Sequence, residues 1–597
     1  MSTTCSTREE NPGKNANPYK YQDAPTSPDA ITRLEEGNKT IDHILDKIVG
    51  GGGWGQWIIV IASYPIIYCS MSLLMHMFTA FEPRHRCYIP VCDNTTTQSV
   101  EDYYVEFAIP AGHISNEMLR SEEKFDPCNM YEIIGTSCSV DSFNKSKTIP
   151  CKEFVYDKFE FEETLTTKLD LVCNKEYKRR LLSTVMMIGL TVGSLIGGRL
   201  SDRFGRKSTM LLAVLIIAPI VTFSGYAPNY ESYLILRFIS CTCLPFIWIS
   251  CNSLLLEIFG ANYRNSVVIA KDFTFPTGQS LLILFVYLNR TWTYLHVSIG
   301  LACAFSIPMF FIVPESIRWL AINGKTYQAE KILIKIAKRN GRTISIRQMR
   351  EIKIILQHVE RDSRLKKNQE NLTPLDMIRK SNLKITLIMM LNWISICLSV
   401  YTLTFNATKL SGNIYINWLL SNTVGDIPGT FALIVTLKYF GRRFNLFYVQ
   451  FVCGICCLVL AFMPKNHTTA ILVFYLIGKC AGEMGFLLVW LMTAELYPTN
   501  LRSQAVGTLS MISRIFGTVA SFVATLSVYW KPLPMLILGF PCLIAGVLVY
   551  FIPETKQCKL PQTLDEADRM EAHKLRNRLS SRLERANEET NDLETTL

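Results

Sequence analysis

Charge is what this 597-residue chain has least of. Asp, Glu, Lys and Arg together make up 19%, where a soluble chain carries about 25%. That deficit excludes an ordinary multidomain soluble protein. Histidine is also scarce, at 8, so a multi-histidine metal centre has few members to draw on. The apolar segments hold no His-Glu-x-x-His and no Gly-x-Ser-x-Gly pattern. Gly324-Lys325-Thr326 ends like a phosphate-binding loop, but Trp319 stands where the first glycine is required. These gaps predict no enzyme, no metal, no cofactor and no ATP hydrolysis. The counts of 19 Cys and 32 Gly are ordinary for the length and exclude a cysteine scaffold or a collagen repeat. Disorder is excluded except at the ends, because 32 Phe, 25 Tyr and 9 Trp supply too much apolar surface. The net charge of +11 does not mark a nucleic-acid binder, since the basic residues flank apolar blocks.

What the chain does have is apolar sequence: 49% hydrophobic residues and a mean hydropathy of +0.20. A bilayer core needs about 20 apolar residues per helix. Twelve runs meet that need, at 57–78, 181–198, 208–226, 232–255, 266–288, 294–313, 384–405, 413–437, 446–463, 470–492, 504–526 and 533–552. They are continuous, not alternating, so they read as helices and not barrel strands. The expected fold class is an all-α integral membrane protein with twelve transmembrane helices. Residues 1–50 are polar, so the block from Trp57 is expected to act as its own signal anchor.

Short basic loops orient the spans. Arg199, Arg203, Arg206 and Lys207 follow span two. Lys438, Arg442 and Arg443 follow span eight, and Lys and Arg are dense from Arg318 to Lys384. Alternating spans put all three on one side, which is therefore cytosolic and holds both termini. The organisation expected is a cytosolic tail (1–56), a first six-helix bundle (57–313) carrying an exported loop (79–180), a basic linker (314–383), a second bundle (384–552) and a tail (553–597). The exported loop holds Cys87, Cys92, Cys128, Cys138, Cys151 and Cys173, a disulfide-stapled set with fifteen possible connectivities. Asn94 and Asn144 are glycosylation acceptors on the outer face. Asn371 has the same sequon on the cytosolic side, where it is a chance match.

The two halves repeat one another. Gly205-Arg206-Lys207 recurs as Gly441-Arg442-Arg443, 236 residues later. Glu257 and Arg264 recur as Glu495 and Arg502 after 238, and Pro314-Glu315-Ser316 as Pro553-Glu554-Thr555 after 239. Near-constant offsets imply two six-helix bundles in the same orientation, with a midplane site between them. Asp202, Arg206, Glu257, Arg264, Glu315, Arg318, Arg442, Glu495, Arg502 and Glu554 are the candidate gating residues. Topology alone needs only the cations; recurring acidic partners permit ion pairs that differ between two states. Lys438 replaces the acid that the first half has at Asp202, which weakens the second copy.

Gly198 to Lys207 (GRLSDRFGRK) is similar to the loop signature of the major facilitator superfamily. Pro314 to Leu320 (PESIRWL) and Ala494 to Arg502 (AELYPTNLR) are narrower. They resemble the organic cation, carnitine and organic anion transporter family, as do the cysteine-rich first loop and the long basic linker. The resemblance covers about 50–565. It implies a plasma-membrane carrier working by alternating access, facilitative or coupled to Na+ or H+.

Polar groups inside spans are costly and are functional candidates. Here they are Arg237, Lys271, Asp272, Gln279, Asp426, Lys479, Glu483 and Arg514. Lys479 and Glu483 lie one turn apart and are expected to neutralise each other. The resemblance places Trp248, Lys271, Asp272, Phe275, Trp393 and Arg514 at cavity positions. It also implies the zwitterion or anion branch, because Ile396 and Arg514 stand where carriers of permanent cations have acids. Asp272 and an aromatic face suit an ammonium; Arg514 suits a carboxylate; Lys271 either assists or pairs with a neighbour. The expected substrate is a small organic cation or zwitterion of the carnitine, β-alanine or amine-conjugate type. An organic anion bound through Arg514 is the nearest alternative. A non-transporting receptor on a carrier scaffold is the third. The chain ends Thr595-Thr596-Leu597, a pattern that can add a strand to a scaffold domain.

Overall fold

In a computed structural model the described residues are 41–50, 53–93, 102–111, 125–260, 270–366, 380–407, 413–464, 466–497, 502–523 and 529–555, with single positions 100, 263, 267, 377 and 526. Asn94, Arg264, Asn371 and the Thr595–Leu597 end lie outside them.

The described chain is mostly helical. A short helix, α1 (Ile41–Ile48), precedes α2 (Gly53–Leu74). After the first loop come α3 (Glu176–Phe204), α4 (Arg206–Ser224), α5 (Tyr230–Ile258), α6 (Thr274–Leu288) and α7 (Trp292–Ala304). The linker forms α8 (Ile317–Ile322), α9 (Thr326–Arg339) and α10 (Ile346–Lys366). The second half holds α11 (Lys380–Asn406), α12 (Ile414–Leu420), α13 (Ile427–Tyr439), α14 (Arg442–Phe462), α15 (Thr468–Leu496), α16 (Arg502–Val523) and α17 (Leu533–Val549). Eight helical stretches among the described residues are long and apolar enough to cross a bilayer.

Two expected spans are broken, each beside a proline. Span five was expected from residue 266, but the helix restarts at Thr274 after a turn at Phe273. The ring of Pro276 crowds the carbonyl four residues back, at Asp272, which favours a break there, although Pro65, Pro219, Pro245 and Pro541 sit inside unbroken helices. Span eight is α12, a π-helical turn at Ser421–Asp426, then α13 with Pro428 at its start. A π turn absorbs the mismatch that a missing N–H creates.

Within each half, small residues let helices close. Gly189, Gly193 and Gly197 recur every fourth residue on α3. A methyl group added at each would meet Phe238 O at 3.0 Å, Thr242 O at 2.1 Å and the Phe246 ring at 2.8 Å, all on α5. This is how membrane helices associate when apolar burial offers no gradient. The halves meet where α3 packs on α16 and where α6 packs on α12.

The first loop is a small mixed unit. β1 (His85–Cys87) pairs antiparallel with β4 (Phe154–Tyr156), and β2 (Asn129–Ile133) with β3 (Phe143–Pro150), with a bulge at Tyr131/Glu132. The six cysteines pair as Cys87–Cys151, Cys92–Cys138 and Cys128–Cys173. A buried fork adds a second staple: Arg86 Nη1 and Nη2 each donate to an Asp93 oxygen at 2.8 Å. Burial opposes the Asp93 charge, but hydrogen bonds from Arg86, Tyr104 and the Ile89 N–H outweigh it. The carboxyl therefore stays below its ordinary range. Asn144 sits on β3, whose central residues are exposed.

The linker packs back on the amino-terminal segment. Asn340 Nδ2 donates to Ile48 O at 2.9 Å and Arg342 Nη2 to Gly50 O at 3.0 Å, capping the carboxyl end of α1. Gly324, in the Gly-Lys-Thr stretch, has φ +74° and ends α8; the Lys325 N–H reaches back to Leu320 O at 2.8 Å. That tripeptide is a helix terminator.

Candidate functional site

Two charge clusters repeat each other except at Asp202, whose place Lys438 takes in the second half. In the first half, Arg206 opens α4 and its guanidinium grips Glu257 near the end of α5, with Nε to Oε2 at 3.0 Å and Nη2 to Oε1 at 2.9 Å. Asp202 adds a contact to Arg206 Nη2 at 2.9 Å from the exposed side. Glu315 Oε1 accepts the backbone N–H groups of Arg206 at 3.0 Å, Lys207 at 3.1 Å and Ser316 at 2.9 Å. An acid there meets unpaired N–H groups and the positive end of the α4 dipole. The Ser316 hydroxyl donates to Glu257 and also accepts the Trp319 N–H, starting α8.

The second half rebuilds this with the repeated residues. Glu554 accepts the N–H groups of Arg442 at 2.8 Å, Arg443 at 3.2 Å and Thr555 at 3.1 Å. The Thr555 hydroxyl donates to Glu495. Arg442 Nε lies 3.4 Å from Glu495 Oε2. The Arg442–Glu495 pair thus forms although Lys438 stands where the first half has an acid. Ser316 and Thr555 were not among the expected gating residues, although the repeated Pro-Glu-Ser/Thr motif carried the signal. Arg318 is half-buried in α8 and has partners. Arg502 opens α16.

Deeper in the bundle, the structure brings together several of the residues expected at the cavity. The Arg514 guanidinium of α16 lies over the Trp248 ring of α5, 5.4 Å from its centroid. Trp248 in turn meets Phe275 of α6 at 5.6 Å between rings. A cation of one half is thereby stacked on an aromatic pair of the other. Arg514 is 5% exposed, its Nε reaches Ser510 Oγ only at 3.4 Å, and its Nη1 has no acceptor.

Lys271 and Asp272 lie at the break before α6. Their side chains pair at 2.7 Å, and Lys271 Nζ also reaches Asn252 Oδ1 of α5 at 3.3 Å. Asp272 is therefore held by its neighbour and is not an open carboxylate. Trp393 stays inside its own half: its Nε1 donates to Thr493 Oγ1 at 2.9 Å, and its ring meets Trp490 at 5.1 Å. It is not in ring contact with the Trp248 group. Arg237 donates to Leu73 O at 2.7 Å, tying α5 to α2, whereas at Gln279 it is the backbone carbonyl, not the side chain, that accepts from Trp418 Nε1 at 3.1 Å.

The expected Lys479–Glu483 neutralisation does not occur. Lys479 Nζ pairs with Asp426 Oδ1 of the π turn at 3.1 Å, both side chains being 1% exposed, and also donates to Thr404 Oγ1 at 2.8 Å. The π turn is the physical reason: it brings Asp426 against α15, where Gly425 leaves room for the lysine stem. Thr404 and Asn252 had no signal of their own, since a hydroxyl or amide in an apolar run is common and its partner lies on another helix.

A family model described as sugar (and other) transporter matches residues 144–570. An organic cation transporter protein of Drosophila melanogaster is 28% identical over 533 residues, covering 88% of this chain and 94% of that one. Solute carrier family 22 member 6-A of Xenopus laevis is 30% identical over 548 residues, covering 90% and 96%. Among solved structures, the inward-open xylose transporter XylE from E. coli superposes with a TM-score of 0.55 at 16% identity, covering 84% of this chain and 98% of that one. At that identity the likeness concerns the fold alone.

Proposed function

The chain belongs to the sugar (and other) transporter family and, within the major facilitator superfamily, to the organic cation and organic anion transporters of solute carrier family 22; from that premise we propose that it carries a small organic zwitterion or cation across the plasma membrane. It is a membrane transporter and not an enzyme. The proposed mechanism is alternating access across twelve spans, with both termini cytosolic and the cysteine-rich loop outside. The two halves rock about the layer where Arg514, Trp248 and Phe275 meet.

The observation that carries this reading is the Arg514–Trp248 stack. A buried guanidinium with a donor to spare suits a substrate carboxylate. The flanking aromatic faces suit an alkylammonium. The Arg206–Glu257 and Arg442–Glu495 clamps then brace each half as a rigid body, and their release or retention biases the two-state equilibrium. Coupling to Na+ or H+ belongs to the same proposal, as does a scaffold partner at Thr595–Leu597. Arg514 supports a second reading, an organic anion carrier.

The deciding experiment is uptake into sealed proteoliposomes, with and without a sodium gradient, of labelled carnitine, β-alanine, tetraethylammonium and glutarate. Saturable entry of the first two supports the zwitterion reading. Entry of glutarate alone supports the anion carrier. Binding without flux for every probe points to a receptor and sinks the transport proposal.

A further inference from the structure

At the end that carries the cysteine-rich loop, the two halves touch through aromatic side chains. Phe78, just past α2, meets Trp418 of α12 edge-on at 4.9 Å between rings, and both are buried. His76 meets Phe405 of α11 at 5.7 Å, and Trp418 Nε1 reaches the Gln279 backbone carbonyl of α6. Tyr415, in the first turn of α12, meets Tyr287 at the end of α6 at 5.9 Å. The Arg206–Glu257 and Arg442–Glu495 pairs, at the opposite ends of their helices, each stay within one half.

The first loop takes part in this contact. The Tyr415 hydroxyl donates to Glu160 O at 3.2 Å, and its ring lies 6.3 Å from that of Phe161. The 160–163 segment is bound to the first half by its backbone. The Glu162 N–H donates to Arg290 O at 3.2 Å, and the Trp292 N–H donates to Glu163 O at 3.0 Å. Phe161 is buried against Phe81, 5.2 Å away. Cys151 and Cys173, on either side in sequence, tie the flanking chain to Cys87 and Cys128. On the facing side, Asn413 Oδ1 accepts the Tyr415 N–H at 2.9 Å and fixes the start of α12.

We propose that 160–163 is a latch over the outer mouth of the transport path and that Tyr415 is its catch, closed in this structure and released when the outer ends part. This rests on the alternating-access reading above. If the halves rock, every contact across them at this end must break before substrate enters from outside. The segment moves with the first half, because main-chain hydrogen bonds and its covalent ties hold it there. The loop therefore parts from the second half at Tyr415, whose hydrogen bond and ring contacts are each weak. Together they bias the mouth toward closed without locking it, as a two-state carrier requires. Tyr415 is a positioning residue: it acts on the mouth and not on the substrate.

The test reads access, not flux. Gln279→Cys places a thiol at a buried residue next to Trp418. Its modification from outside by a membrane-impermeant maleimide is timed on the full-length chain at the cell surface, with Tyr415, Tyr415→Phe or Tyr415→Ala. Each background with Gln279 kept is the blank, and it also reports unfolding, through the buried native thiols Cys241 and Cys251. Tyr415→Phe loses only the bond to Glu160 O; Tyr415→Ala loses the ring contacts as well. The rate is expected to rise about two- to tenfold in Tyr415→Phe and further in Tyr415→Ala, with blanks unchanged. Equal rates in the three backgrounds overturn the latch, as does a thiol that stays unmodified throughout. If Tyr415→Ala does not reach the surface, Phe161→Ala, which removes one ring contact, replaces it, and an unchanged rate there and in Tyr415→Phe again overturns the latch. The readout needs no substrate, so failure of the latch is distinct from failure of carnitine or β-alanine to enter.

Discussion

Glycine at the start of α4 answers two constraints at once. Gly205 has φ +102°, where a side chain is strained, and a methyl there would come within 2.5 Å of Glu315 Oε2. Its counterpart Gly441 has an ordinary φ of −74°, and only the Glu554 carboxylate, 2.2 Å from an added methyl, crowds it. Gly205→Ala is therefore expected to cost about 1–3 kcal/mol and to exceed Gly441→Ala. Thermal melting of the two variants in detergent checks the order. Equal melting temperatures would count against backbone strain at Gly205. The repeat of the Gly-Arg motif was plain in the sequence, but the difference in φ between the two copies was not. Dihedrals at a helix junction depend on how the flanking helices are aimed, and no local motif encodes that.

At the scale of the element, the π turn of Ser421–Asp426 matters most, because it determines which charge Lys479 meets. Breaking a buried pair by removing one partner leaves the other uncompensated, at about 3–5 kcal/mol. Replacing both with apolar groups removes that penalty. Asp426→Asn is thus expected to destabilise strongly, and Asp426→Leu combined with Lys479→Met is expected to recover most of the loss. Melting curves for the single and double variants provide the cycle. Additive losses in the double variant would show that the pair is not coupled. Helical spacing alone favoured Lys479 with Glu483, four residues on, and that expectation was local by construction. A partner on another helix competes equally well once packing brings it within 3.1 Å.

For the molecule as a whole, the halves form one bundle through α3 on α16 and α6 on α12, and these contacts are related by the internal repeat. Topology is testable without knowing the substrate. If the first loop is exported, Asn144 on the exposed β3 carries glycan. Asn144→Gln is then expected to shorten the gel shift caused by glycosidase treatment. Asn371→Gln is expected to leave that shift unchanged. Loss of the shift only in Asn371→Gln would invert the proposed orientation.

Composition and order along the chain were sufficient for the membrane class, the internal repeat, the cysteine-rich loop and the family. Each of these rests on properties that neighbours in sequence share: run length, flanking charge, motif spacing. The disulfide partners, the Lys479–Asp426 pair and the Arg514–Trp248 stack were decided by tertiary structure alone. The physical reason is that a charge in an apolar interior takes whichever partner packing brings closest. Which partner that is depends on the angles and depths of helices that are far apart in the chain.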